Sequence, residues 1–311
     1  MFDFKPAEKP TLYFIGVTTT KSSIMTVFPK WAEELGLEGV AIQGIDLPLH
    51  APAEDYRRVT RFLKDDPLSL GALVTTHKLD LYKACMDLFD EADSYAEKLE
   101  EVSSLSKKDG KFCAHAKDPI SSGLALESFV PKGFFREHGG QALLLGAGGS
   151  SLAMSVYFGD GKKGDDVPKV ITIANRSIPR LETAKETLRG LDPQIEIRYQ
   201  HNPSPADNDK TLFGLPPYSL IVNATGLGKD APGSPITSAA VFPEHSLVWE
   251  INYRGDLLFK DQAEAQAEAR DLTVEGGWIY FIHGWTQVIA EVFHITIDGP
   301  ILDRLSDIAK G

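Results

Sequence analysis

The chain has 311 residues, 42% hydrophobic and 24% charged, with 32 Lys and Arg against 44 Asp and Glu for a formal net charge of −12. These are ordinary globular proportions, and the length suffices for two domains that each bury a core. The acidic balance gives no reason to expect nucleic acid or an anionic membrane surface as partner. Two cysteines, Cys85 and Cys113, cannot form a disulfide framework, and no apolar run approaches a membrane-spanning length.

Read in chain order, the opening Met1–Pro10 stretch lacks a basic segment followed by a long apolar one, so a cytoplasmic location is the expectation. Apolar runs at Leu12–Val17, Val40–Ile45 and Ala72–Val74 predict strands. Helical patterns at Val27–Leu35, Tyr56–Leu63 and Leu79–Phe89 lie between or after them, which gives a first α/β unit. Lys108-Asp109-Gly110 predicts a hairpin turn within Ser104–His115, at the sheet edge. A second unit runs from Gln141 to about Glu275, with strands at Ala142–Leu145, Val170–Ala174, Ile195–Tyr199, Leu220–Ala224 and Leu247–Ile251. Two polar insertions, Gly159–Asp166 and His201–Pro217, read as surface loops without assigned function. An apolar helix at Trp278–Phe293 and a second around Ile301–Ala309 close the chain.

The most informative segment is Gln141–Ala153. An apolar run without alternation, expected of a strand buried on both faces, meets a glycine cluster and then small residues opening a helix. Gly146, Gly148 and Gly149 allow a tight turn and close approach of a phosphate. The helix-start amides near Ser150 would supply donors and a favourable dipole. The second strand of this unit ends in Asn175-Arg176-Ser177-Ile178-Pro179-Arg180. That end of a dinucleotide-binding unit faces the adenosine ribose, where an acid would hold the free hydroxyl of NAD and arginine accommodates the 2′-phosphate of NADP. No Asp or Glu lies between Lys169 and Arg180, whereas Arg176 and Arg180 do, so NADP is the predicted cofactor.

The colinear order of motifs resembles the shikimate/quinate dehydrogenase family across most of the chain. The cofactor signatures are Gly146-Ala147-Gly148-Gly149-Ser150, Asn175-Arg176-Ser177 and Asn223-Ala224-Thr225 within N-A-T-G-L-G. Gly16–Ser23 resembles the family's serine-bearing substrate loop, and Val74–Lys78 its lysine motif, one residue short. Asp109–Asp118 sits where the family carries a turn, a strand and an acidic residue. The resemblance implies an N-terminal α/β substrate domain over 1–128, completed by 285–311, and a Rossmann NADP-binding domain over 129–284, the C-terminal helix returning to the substrate domain. It implies Lys78 and Asp118 as the catalytic pair. Reducing a ketone with a nicotinamide hydride leaves an alkoxide to be protonated, and a lysine near a carboxylate can relay that proton. Substrate contacts are implied for Ser22, Thr75, Ser103, Tyr253, His283 and Gln287.

Departures concentrate in the expected substrate pocket. Ile24 and Met25 stand where a second serine and a proline belong, and Leu73 replaces an asparagine. Val102-Ser103-Ser104 replaces V-N-T. Ala116-Lys117-Asp118 replaces N-T-D, with the following glycine delayed to Gly123. His283 replaces the last helix's glutamine, although Gln287 lies one turn away on the same face. His77, His115 and His283 show no ligand spacing, and no metal is expected. The expected activity is NADP-dependent interconversion of a cyclic carboxylated polyol and its ketone. It is shikimate/3-dehydroshikimate-like with altered specificity, in aromatic amino acid biosynthesis or quinate metabolism. The alternatives are a quinate- or aminoshikimate-type dehydrogenase, and a non-catalytic NADP-binding sensor of the same fold. The expected partner is a small cyclic hydroxy acid, with no nucleic acid and no membrane, bound by a monomer or homodimer.

Overall fold

The computed structural model describes residues 5–191, 194–229 and 231–310. Met1–Phe4, part of the N-terminal stretch read above, lie outside the described residues. The chain divides into two compact units, Met1–Lys117 with Gly284–Gly311, and Asp118–His283. No helix among the described residues is long and apolar enough to cross a membrane.

The first unit is built on a six-stranded sheet of β1 (Thr11–Gly16), β2 (Ala41–Asp46), β3 (Ser69–Val74), β4 (Glu91–Ala92), β5 (Ser104–Lys108) and β6 (Lys111–His115), in the order β2-β1-β3-β5-β6-β4. β1 pairs parallel with β2 and β3, as helical crossovers at Ile24–Glu34 and Ala53–Asp65 require. All six residues of β1 are buried, which explains its unbroken apolar run. β5 and β6 form the expected hairpin. Asp109 and Gly110 both have positive φ (52° and 77°), the geometry of a twist-matched two-residue turn. It does not lie at the edge, however. The two-residue β4 pairs with β6 and takes that place, too short to leave a periodicity signal.

The C-terminal segment packs on this first unit. Trp285 meets Phe14 of β1 edge-to-face at 5.1 Å, and Trp31 Nε1 donates to the Leu305 carbonyl at 2.7 Å. Glu291 accepts from Lys117 Nζ and lies 3.4 Å from His115 Nε2, so the helix Trp278–Phe293 is tied to the end of β6. Burial pushes the Glu291 carboxyl upward, but the Lys117 hydrogen bond and the charges of His115 and Lys117 outweigh it and hold it below the usual range. A depressed carboxyl stabilises the fold above its unfolded pKa, about 4.3, and loses that contribution as pH falls through its lower folded value. Glu291→Gln is therefore expected to cost about 1–3 kcal/mol at pH 7. The gap to the unmodified chain should shrink in denaturant melts as pH falls below the ordinary carboxylate range and through the lower folded value. A pH-independent gap would contradict it.

The second unit carries β7 (Ala142–Leu145), β8 (Val170–Asn175), β9 (Glu196–His201), β10 (Leu220–Asn223), β11 (Leu247–Glu250) and β12 (Thr273–Glu275). All pair parallel, in the order β12-β11-β10-β7-β8-β9. Counted from β7 as the first strand this is 3-2-1-4-5-6, the doubly wound dinucleotide-binding order, whose switch point lies between β7 and β10. Two-domain α/β architecture with a Rossmann-type second unit is thus as expected.

One expectation fails here. His201–Pro217 is not a loop: His201 ends β9, and Pro205–Phe213 forms a nine-residue helix. The signal was present, because Ser204 stands at the N-cap, Pro205 opens the helix, and Leu212 is fully buried. Gly159–Asp166 carries no helix or strand; its Asp166 accepts from the amides of Gly133 (2.6 Å) and Phe135 (3.1 Å) at the start of a short helix. Gly123, in the helix Asp118–Phe129, lets that helix pack on the glycine-loop helix, since a Cβ there would overlap the Tyr157 ring.

Candidate functional site

The switch point places the glycine loop. Gly146 has φ +116°, and a Cβ on it would lie 2.6 Å from the Ala224 carbonyl, so only glycine lets β7 and β10 turn away side by side. Gly148 is the N-cap of the helix Gly149–Phe158 and offers no side chain to its open amides. A Cβ on Gly148 would meet nothing within 4 Å, so the space above the loop is free for a ligand to fill. Ser151 is not available to such a ligand, because its hydroxyl donates back to the Gly146 carbonyl at 2.6 Å.

Gly146, Ala147 and Gly148 line a cavity of about 800 Å³. Asn175, Arg176, Ser177 and Arg180 form its far wall, and Ala224 and Thr225 the side next to β10. Asn175 Oδ1 accepts from the Ser177 amide at 2.8 Å, and Ser177 caps the helix Ile178–Thr187 toward the Arg180 amide. Both arginines are exposed on the cavity rim, and no carboxylate among the described residues lines it. The helix missed in the sequence completes this wall through Ser204, Pro205 and Asn208. Asn208 donates to the Pro235 carbonyl at 2.8 Å, linking this wall to the loop after β10. A volume in the range of ligand pockets, a glycine-rich loop and two guanidinium groups on the rim fit a phosphorylated dinucleotide.

Asn223 is fully buried at the end of β10. Its Nδ2 donates to Glu250 Oε2 at 2.6 Å, and its Oδ1 accepts from Thr225 Oγ1 at 2.6 Å and the Thr225 amide at 3.1 Å. Asn252 donates to Glu250 Oε1 at 2.7 Å and to the Thr225 carbonyl at 3.1 Å. Glu250 is 1% exposed, and burial raises its carboxyl pKa against the opposing hydrogen bonds of Asn252 and Asn223. Asn223 therefore acts as a brace for the Ala224-Thr225 turn rather than as a group facing the cavity. Glu250 and Asn252 were passed over in the sequence as neighbours of Tyr253.

In the first unit, Lys78 is the first residue of the helix Lys78–Cys85, where the dipole disfavours a cation and Asp80 in the same turn compensates. Thr75 donates its hydroxyl to the Ile15 carbonyl at 3.2 Å. Ser103 is buried, and its hydroxyl accepts from the Lys117 amide at 2.7 Å, fixing the residue before Asp118. Ser22 follows a short 3-10 turn and is half-buried, as is Gln287. Ile24, in place of the second serine, is fully buried in the core, and Leu73 is buried in β3. His77 and His115 are both engaged, His77 with Tyr56 and His115 with Ser106 at 2.9 Å.

In the second unit, Asp118 opens the helix Asp118–Phe129, and its carbonyl accepts from Ser122 at 2.7 Å. Tyr253 packs on Phe281 with ring centres 4.5 Å apart, and the Arg254 guanidinium lies over the Tyr253 ring, 5.6 Å from its centre. His283 is buried, and burial holds its imidazole below the ordinary range. Among the described residues, no group of three His, Cys, Asp or Glu side chains could hold a metal ion.

No protein-family model matches the chain. It is 26% identical over 190 residues to the shikimate dehydrogenase (NADP(+)) of Symbiobacterium thermophilum, a match covering 60% of each chain. The fold superposes on shikimate 5-dehydrogenase from Listeria monocytogenes, solved with shikimate and NAD, with a TM-score of 0.73, 17% identity and 99% of both chains covered. The chain is similar in sequence to shikimate dehydrogenase over part of its length and shares the fold over all of it. Quinate dehydrogenase from Corynebacterium glutamicum, solved with NAD, gives the same TM-score at 16% identity, covering 96% of this chain and 98% of that one. The chain thus matches less than two thirds of its curated relative's length in sequence, while sharing the whole fold.

Proposed function

We propose that this chain is an NADP-dependent dehydrogenase that interconverts a ring hydroxyl and its ketone on a small cyclic hydroxy acid. The observation that carries the proposal is the cavity of the second unit, where the glycine loop, Arg176, Arg180 and Thr225 converge on one free volume. Gly146–Gly149 and the following helix start would hold the pyrophosphate, and Arg176 and Arg180 the ribose phosphate. When bound, the nicotinamide supplies or accepts the hydride. Lys78 Nζ takes the proton of the reacting hydroxyl in oxidation and returns it in reduction, and Asp118 supplies the carboxylate of that relay. The altered polar positions make the substrate differ from shikimate in its hydroxyl pattern, with quinate or an amino-analogue as further options. A panel of cyclic polyols, followed by absorbance of reduced nicotinamide with NADP and with NAD, tests the reading. Turnover of none of them with either cofactor would overturn it.

The cofactor assignment has its own test. Arg176→Asp removes a charge-assisted contact and sets a carboxylate against the phosphate, so preference should move toward NAD by roughly 10²-fold. Equal or better use of NAD by the unmodified protein would reject NADP.

A further inference from the structure

We propose that Tyr56 is a positioning residue for the proton relay, its hydroxyl acting through His77 to fix the shortened turn that delivers Lys78. This rests on the role of Lys78 proposed above. Only three residues separate Val74, the end of β3, from the helix that Lys78 opens. Thr75 is fastened to β1, its amide and hydroxyl both donating to the Ile15 carbonyl (3.0 and 3.2 Å). His77 N–H then folds straight back to the Thr75 carbonyl. The residue between them, Thr76, is driven to φ +26°, a conformation in which a β-branched side chain is strained. Strain of this kind persists only where the surroundings over-determine it.

The surroundings here are the side chain of His77. It is 1% exposed, and its Nδ1 shares a hydrogen bond of 3.0 Å with the hydroxyl of Tyr56, which is equally buried on the helix Ala53–Asp65. Burial holds the imidazole below the ordinary histidine range, against the carbonyls of Gly16 and Leu47, so the ring stays neutral and shares a neutral bond with the phenol. The His77 carbonyl in turn accepts from the Leu81 amide at 2.8 Å, setting the first turn of the helix. From Tyr56 the chain of contacts runs through one ring to the residue bonded to Lys78. Loss of the hydroxyl leaves a buried imidazole nitrogen without its partner and lets the strained turn relax. A displacement of about 1 Å in a reacting group can cost roughly 10²-fold in rate.

Tyr56→Phe keeps the ring and removes only the hydroxyl. We expect kcat to fall about 10- to 100-fold with KM for the cofactor unchanged, and Tyr56→Phe/Lys78→Met to be no slower than Lys78→Met alone. Val59→Ala, at another buried position of the same helix, controls for general loss of stability and should leave kcat within about twofold. A substrate-independent readout is the NMR spectrum of the chain after reductive 13C-methylation of its lysines, with the Lys78 signal assigned by its absence in Lys78→Met. In Tyr56→Phe that signal should shift while the other lysine signals stay in place. An unmoved Lys78 signal would overturn the proposal even if no cyclic alcohol were turned over. So would additive defects in the double variant. A shifted signal in a chain without dehydrogenase activity would uphold the positioning and reject the reaction.

Discussion

Replacing Lys78 by methionine is expected to lower kcat by roughly 10²–10⁴-fold, the usual loss on removing a positioned acid–base group, while NADP binding changes little. The two effects separate because the described residues lining the second unit's cavity run from Gly146 to Pro235, whereas Lys78 belongs to the first unit. Methionine keeps the length of the side chain and adds no charge to a helix start that disfavours cations, so the fold should tolerate the change. Asp118→Asn should give a comparable defect. If the two residues work as one relay, the double variant should be little worse than either single one. Steady-state kinetics and a separate NADP titration check both points. A loss below tenfold in Lys78→Met, with NADP still bound, would mean that the shortened motif has moved this lysine out of the site.

The fold was legible where local chemistry and tertiary demand agree. The hairpin turn at Asp109-Gly110 needs two residues with positive φ, and the sequence supplies an Asp-Gly pair. The apolar run Ala142–Leu145 is a strand covered on both faces, and it shows no alternation for that reason. Illegible elements lack such a local signature. β4 and β12 have two and three residues and exist only because a neighbouring strand offers a partner. The helix Pro205–Phe213 buries little beyond Leu212, so its polar composition read as loop although its N-cap could have been recognised.

The same division runs through the site. Gly146 and Arg176 were legible because backbone freedom and charge act through the residue itself. The brace formed by Asn223, Asn252 and Glu250 joins residues up to 29 positions apart, and no spacing rule brings those three together. Tyr56 and His77, 21 residues apart, are joined only by the path of the first unit's sheet.

The specificity of the reaction carries the other large expected effect: shikimate should be a poor substrate, with kcat/KM roughly 10²–10⁴-fold below a ring of better-matched hydroxyl pattern. Ile24 and Leu73 are both buried in the first unit's core, so neither side chain offers a ligand a polar partner. At Thr75 and Ser103 the hydroxyls are present but engaged with the Ile15 carbonyl and the Lys117 amide. A ring hydroxyl desolvated without a partner costs roughly 1–3 kcal/mol, and two such losses account for the expected range. His283 and Gln287, one turn apart on the helix Trp278–Phe293, are the candidate replacement donors. His283 is buried and held neutral at pH 7 by that burial, so it would act as a hydrogen-bonding group rather than as a cation. Gln287→Ala should then lower kcat/KM for the preferred ring more than for shikimate. A kcat/KM for shikimate at or above about 10⁵ M⁻¹s⁻¹ in the unmodified protein would show that the ring finds its partners elsewhere.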